Sequence, residues 1–186
     1  MVSTCAALAL SLLGGLSTAE IARAFVVPID TIAQRLVRAK RKIRAAHIPM
    51  QVPSAEIRQE RQNAVLAAIY LIFNEGFAAS ASAAHLRVDL CDEAIRQGRL
   101  LAQLNQSDGE TLSLCALMIA HHARRAARVD SAGDVGVLAE QDRSLYDRAA
   151  IREAIEMLRA ALRRGPPFVY GVQAAIAVEH AAAPHH

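Results

Sequence analysis

Apolar residues recur at three- and four-residue spacing along most of the chain, and short clusters of Gly, Pro, Ser and Asp interrupt them. That periodicity predicts helices and little else. Residues 4–13 form a first apolar helix, closed by Gly14-Gly15. Ser17-Thr18-Ala19-Glu20 then has the form of a capping box, in which hydroxyl and carboxylate each satisfy the other residue's backbone N–H. Ile21, Ala22 and Phe25 give the short helix that follows an inner face. A tight link leads to Pro28, suited to the first turn of another helix, where Asp30 complements the positive helix end. In this third helix Ile29, Ile32, Leu36, Ala39 and Ile43 share one side. Asp30, Gln34, Arg38 and Arg41 share the other, flanked by Thr31, Arg35 and Lys42.

Ala45 to Ser54, with Pro49 and Pro53 and little charge, reads as a linker. Residues 55–75 form a long helix that begins polar and becomes an unbroken apolar run from Ala64 to Phe73, with Gly76 as its C-cap. The next helix covers Leu86–Leu104. Gly98 inside it costs about 1 kcal/mol relative to Ala and so points to a close helix crossing. A polar turn precedes a helix over Glu110–Ala127 that is nearly all apolar in its middle and basic at its end. Val129–Leu138 loses the helical period around an Asp/Ser/Gly turn and suggests a short hairpin or an ordered loop. Ser144, with Asp147 three residues on, opens a helix running to about Arg164, which Gly165-Pro166-Pro167 ends. A last helix spans Val169 to Ala181. The organisation expected is a helix-turn-helix module at 1–46, a linker at 47–54, a multi-helix domain at 55–181 and a loose tail at 182–186.

Charge sharpens this division. Of the net +3 over 186 residues, residues 1–44 carry seven basic and two acidic side chains, and the remainder is slightly acidic. Six of the ten residues from Arg35 to Arg44 are Lys or Arg. A helix packed on one face and cationic on the other suits the DNA major groove, with its ends on phosphates. An amphipathic helix with a merely solvated basic face would look similar. The capped first helix, the brief link and the one-sided charge, occurring in that order, favour the DNA-reading helix.

The chemistry of enzymes finds little footing. Cys5, Cys91 and Cys115 are odd in number, far apart and set among apolar neighbours, which marks reduced core residues rather than a disulfide framework or zinc site. His121 and His122 are adjacent, so on a helix they point about 100° apart and share no metal face. Asp130, Asp134, Glu140 and Asp142 lack the ligand spacing of a calcium loop. No nucleophile elbow, phosphate-binding loop or dinucleotide glycine motif is present. These observations imply no enzyme, no cofactor and no metal. The apolar run at the N-terminus is too short to cross a bilayer.

GLSTAEIARAF followed by VPIDTIAQRLVRAKRKIR resembles region 4 of bacterial extracytoplasmic-function sigma factors, where a Thr-Ile pair opens the recognition helix, an Arg-Leu pair sits mid-helix and an Ala-Lys/Arg cluster closes it. Thr31-Ile32, Arg35-Leu36 and Ala39-Lys40-Arg41 stand at those places. YLIFNEGFAAS (70–80), DLCDEAIR (89–96), residues 122–148 and QAAIA (173–177) resemble the helical extension of one subgroup, whose C-terminal part continues into TPR-like repeats. The pattern is departed from at His122, where an acidic residue is usual, and at Ala126, in place of a proline.

The resemblance implies a cytoplasmic transcription protein whose partners are promoter DNA and the RNA polymerase core. Thr31, Gln34, Arg35 and Arg38 would face base edges or nearby phosphates, and Lys40, Arg41, Lys42 and Arg44 the backbone. A regulator would bind through residues 55–181. Nothing matching region 2 of such factors precedes the module, so a truncated form is expected. The alternative is a helical protein-interaction module that binds polymerase or a regulator without reading DNA, with the apolar helices 55–75 and 110–127 supplying the contact face.

Overall fold

The structure, a computed structural model, describes residues 4–12, 15–46, 54–79, 88–128 and 135–183. Among them the regular elements are helical: α1 (Thr4–Leu12), α2 (Thr18–Ala24), α3 (Ile29–Ala45), α4 (Ala55–Ala79), α5 (Val88–Leu104), α6 (Gly109–His122), α7 (Arg148–Leu162) and α8 (Val169–Ala182). Short 3-10 turns occupy Arg125–Ala127, Leu138–Glu140 and Arg143–Leu145. The fold is all-α, as the periodicity predicts. The chain divides into two compact units, Met1–Glu75 and Gly76–His186.

In the first unit α1, α2 and α3 pack pairwise around Ala7, Leu10, Leu16, Ile21, Ala22, Ile32 and Leu36, all buried. After α1 the chain reverses at Gly15, whose φ of +63° suits a residue without Cβ. The Leu16 N–H then donates to the Leu10 carbonyl at 3.1 Å. Two residues assigned to the core side of α3 are not covered: Ile29 is 54% and Ile43 43% exposed. Only the central turns of α3 lie over α1 and α2, so its two ends overhang the small core.

The long helix α4 buries Leu66, Ala68, Ile69, Ile72 and Phe73. It does not stop at Gly76 as the sequence suggested but continues to Ala79. Gly76 is buried and is not among the described glycines with positive φ, which an αL cap would require. The linker, His47 included, lies outside the described residues except for Ser54.

In the second unit α6 is the central helix, packed against α5, α7 and α8. Ser113 to Ala120 are buried without a break, since neighbours stand on all sides. The apolar middle of this helix is core and leaves no open contact face, contrary to the alternative reading. Gly98 fulfils the expectation of a close crossing: a Cβ there would stand 2.9 Å from Cys115 Sγ and 2.9 Å from Met118 Cε. Helix α6 ends earlier than expected, at His122, and a turn and the 3-10 segment follow. Residues 129–134 of the expected hairpin or loop lie outside the described residues. Across their ends the Gly136 N–H donates to the Arg128 carbonyl at 3.1 Å.

Helix α7 begins later than Ser144. Asp147 is its N-cap, and Asp147 Oδ1 accepts from the N–H groups of Ala149 and Ala150 at 3.0 Å each. Ser144 instead belongs to a 3-10 turn capped by Asp142. The start of α8 is held from a distance, because the Glu110 carboxylate accepts from the N–H groups of Phe168, Tyr170 and Gly171 at 2.9–3.2 Å. One carboxylate from the first turn of α6 therefore satisfies three of the four orphan donors of α8.

Candidate nucleic-acid interface

The capping box exists as the sequence predicts. Ser17 Oγ accepts from the Glu20 N–H at 3.3 Å, and the Ser17 N–H donates to Glu20 Oε2 at 2.6 Å. This fixes where α2 starts. Its end is a Schellman motif, with the Val26 N–H on the Arg23 carbonyl and the Val27 N–H on that of Ala22, both at 3.0 Å. The residue carried into the left-handed region is Val26, at φ +53°, where glycine is usual. Pro28 then occupies the N-cap of α3, and its carbonyl accepts from the Thr31 N–H at 3.0 Å. Capping box, Schellman reversal and proline cap together set the angle between α2 and α3.

On α3, Ile32 and Leu36 face inward and are buried, while Asp30, Gln34, Val37, Arg38, Arg41, Lys42 and Arg44 are exposed. The residues expected to touch DNA therefore fall into two groups. Gln34, Arg38, Arg41, Lys42 and Arg44 stand free on the outer side, with Arg38 Nε resting on the Gln34 carbonyl at 3.3 Å. Thr31, Arg35 and Lys40 lie on the flanks and are partly covered. Arg35 Nη1 is closed off from solvent with no hydrogen-bond partner among the described residues. A groove lined by Ala33, Gln34, Val37, Arg38 and Arg41 runs along the outer side. A 17-residue helix is about 25 Å long and 10–12 Å wide, a fit to the major groove.

Sequence reasoning missed one contact in this unit. Arg23 of α2 meets Glu75 of α4 at 2.5 Å, with the carboxylate buried and the guanidinium largely exposed. Hydrogen bonding to Glu75 and its charge raise the Arg23 pKa further above its ordinary value. The Asn-Glu-Gly stretch thus carries a partner for α2 and is not a helix stop. Its partner lies 52 residues away, beyond any local pattern.

Elsewhere several titratable side chains are buried or paired. Neither Cys91 nor Cys115 is in a disulfide; both are buried, and burial pushes both thiols up to about 12, which keeps them protonated. His121 stacks beside Phe77 with ring centroids 5.3 Å apart, and its Nδ1 lies 3.0 Å from Arg124 Nη2. Burial, then Arg124 and Arg128, lower it to about 4. His122 turns to another partner, Asp92 Oδ1, at 3.0 Å. Among the described residues no group of three His, Cys, Asp or Glu side chains gathers closely enough to hold a metal ion. None of the described helices is long and apolar enough to cross a membrane.

Comparison with known proteins matches an N-terminal and a C-terminal part of the chain separately. Residues 6–43 match Sigma-70, region 4, which relates the chain to sigma factors. An uncharacterized protein of Rhizobium meliloti (strain 1021) is 46% identical over 177 residues, covering 95% of this chain and 42% of that protein. The chain thus spans less than half the length of that relative. No solved structure matches it. Residues 61–162 match a family of unknown function, DUF6596, over more than half of the chain, and to that family the chain belongs.

Proposed function

We propose that this chain is a DNA-binding transcription protein of the sigma-factor type, whose α3 reads the upstream promoter element for RNA polymerase. The observation that carries this reading is the outer side of α3. Gln34, Arg38, Arg41, Lys42 and Arg44 are exposed there, opposite a buried Ile32–Leu36 seam, inside the segment that matches Sigma-70, region 4. Gln34 offers a donor and an acceptor and Arg38 a fork of donors, the groups that read base edges, and Arg41, Lys42 and Arg44 supply phosphate contacts. Thr31, Arg35 and Lys40 contribute from the flanks. The polymerase core is the second partner in this reading.

Fluorescence anisotropy of the purified chain on promoter-like and scrambled duplexes, over a salt series, tests it. With about four phosphates neutralised, log affinity falls against log salt with a slope of roughly −3.6. A flat salt dependence overturns the proposal. Replacing Arg38 relaxes sequence preference, whereas replacing Lys42 weakens all duplexes alike.

One observation favours a second role, protein association through the helical half. Phe168 just before α8, and Val169, Val172 and Ile176 on it, leave a row of exposed apolar side chains. This face, rather than the helices over 55–75 and 110–127, is where a regulator or a TPR-like repeat would sit. Concentration-independent sedimentation as a monomer that binds no apolar dye would count against that role.

A further inference from the structure

The outer side of α3 is not uniformly polar. Ala33 and Val37 stand four residues apart, which places them one above the other along the helix. Val37 is 65% exposed in the middle of the cationic face, and with Ala33 it lines the same groove as Gln34, Arg38 and Arg41. Val37 is also nine residues into the helix, within reach of a groove entered by the helix N-terminus.

A single exposed valine needs no explanation. This one interrupts a run of ten residues that holds six Lys or Arg, and it stands between Gln34 and Arg41, where a base edge would lie. The apolar group that the major groove offers is the C5 methyl of thymine. On the strength of the DNA-reading function proposed above, we propose that Val37, with Ala33 beside it, is a specificity-determining residue that packs on a thymine methyl in the recognised duplex. Arg38 and Gln34 then read hydrogen-bonding edges on one flank of the helix while Val37 reads shape and hydrophobicity on the other. The sequence preference has two chemically separate parts.

The difference between thymine and deoxyuridine tests this, because it removes the C5 methyl and leaves every hydrogen-bonding group in place. The full chain first selects its preferred duplex from a pool randomised over one helical turn. Each thymine of that duplex is then replaced by deoxyuridine in turn, and affinity is read by anisotropy. At one position, or at two neighbouring ones, the loss of the methyl weakens binding roughly fourfold, the equivalent of one methylene-sized group withdrawn from apolar contact. Val37→Ala lowers affinity for the thymine duplex by a similar factor and no longer distinguishes thymine from deoxyuridine. Val37→Ile keeps the distinction. Circular dichroism of both variants matches the parent, because the side chain lies outside the core.

Salt-dependent binding of a selected duplex with no position sensitive to the methyl overturns this inference and leaves the DNA-reading function standing. So does a Val37→Ala variant that keeps the full thymine-to-deoxyuridine ratio. No selected sequence and no salt-dependent binding would overturn both.

Discussion

Replacing Val26 by glycine should stabilise the first unit. A left-handed backbone costs an L-residue roughly 1–2 kcal/mol, and a β-branched side chain sits at the upper end of that range. Val26 has φ +53° and is 91% exposed, so its side chain returns almost nothing through burial. Glycine relieves the Cβ clash but makes the unfolded chain freer, a loss of roughly 0.5–1 kcal/mol. The balance is a gain of about 1 kcal/mol, with both Schellman hydrogen bonds kept. Urea unfolding of the full chain, followed by circular dichroism and by hydrogen exchange of the α2 and α3 amides, measures it. The midpoint for these helices moves up by about 0.5 M at unchanged m. Val26→Asn, whose side chain tolerates this region, gains less in the same direction. If Val26→Gly instead loses about 1 kcal/mol, as at an ordinary extended position, the turn does not hold Val26 in a left-handed conformation and the reasoning fails.

Gly98→Ala brings a Cβ to 2.9 Å from Cys115 Sγ and Met118 Cε, both fully buried, and lowers stability by about 1–2 kcal/mol despite the better helix propensity of alanine. Thermal unfolding measures this, and a stabilised Gly98→Ala would mean that α5 and α6 stand further apart. Glu110→Ala removes the acceptor shared by Phe168, Tyr170 and Gly171 and costs about 1–2 kcal/mol, whereas Glu110→Gln recovers part of the loss. Fraying is confined to the first turn of α8, which amide exchange at those three residues reports. His121 is lowered from 6.5 to about 4 in the folded chain, so between these values the unfolded chain binds the proton more readily. Stability is complete above pH 6.5 and falls as the pH drops toward 4, by about 3 kcal/mol in all. His121→Phe flattens this part of the pH–stability curve, and an unchanged curve would show that His121 is not buried as a neutral ring.

The local devices were legible and the distant ones were not. Ser17 and Glu20 lie three residues apart and exchange hydrogen bonds within one turn, so four letters of sequence contain the whole motif. Gly98 was readable for a related reason, since a glycine in a strong helix demands a neighbour too close for a Cβ. Asp147 was legible as a helix start but not as the cap itself, because Ser144 and Asp147 are both good caps and tertiary packing selected the second. Gly76 misled for the opposite reason. A glycine after Asn-Glu has the local form of a stop, yet α4 runs on to Ala79, with Glu75 paired to Arg23, 52 residues away.

The interface shows where a periodicity argument reaches its limit. The helical period alone divides α3 into an inner side with Ile32 and Leu36 and an outer side with Gln34, Arg38 and Arg41, and the structure keeps that division. What the period does not give is how far the core extends. Two short helices, α1 and α2, cover only the central turns of the 17-residue α3, so Ile29 and Ile43 emerge into solvent although their phase is that of the core. Helix α8 poses the same problem in a different form. Glu179 and His180 mark the exposed side near its end, but over Val169–Val178 no charge tells Val172 and Ile176, which are exposed, from Ala174 and Val178, which are buried. Small residues mark the buried side, Gly171, Ala174, Ala177 and Ala181, because α6 approaches too closely for larger ones, and the bulkier valines and isoleucine are left outside. Sequence therefore locates the faces of α3 by charge, whereas along the first ten residues of α8 the faces are set by size and become visible only once its neighbours are in place.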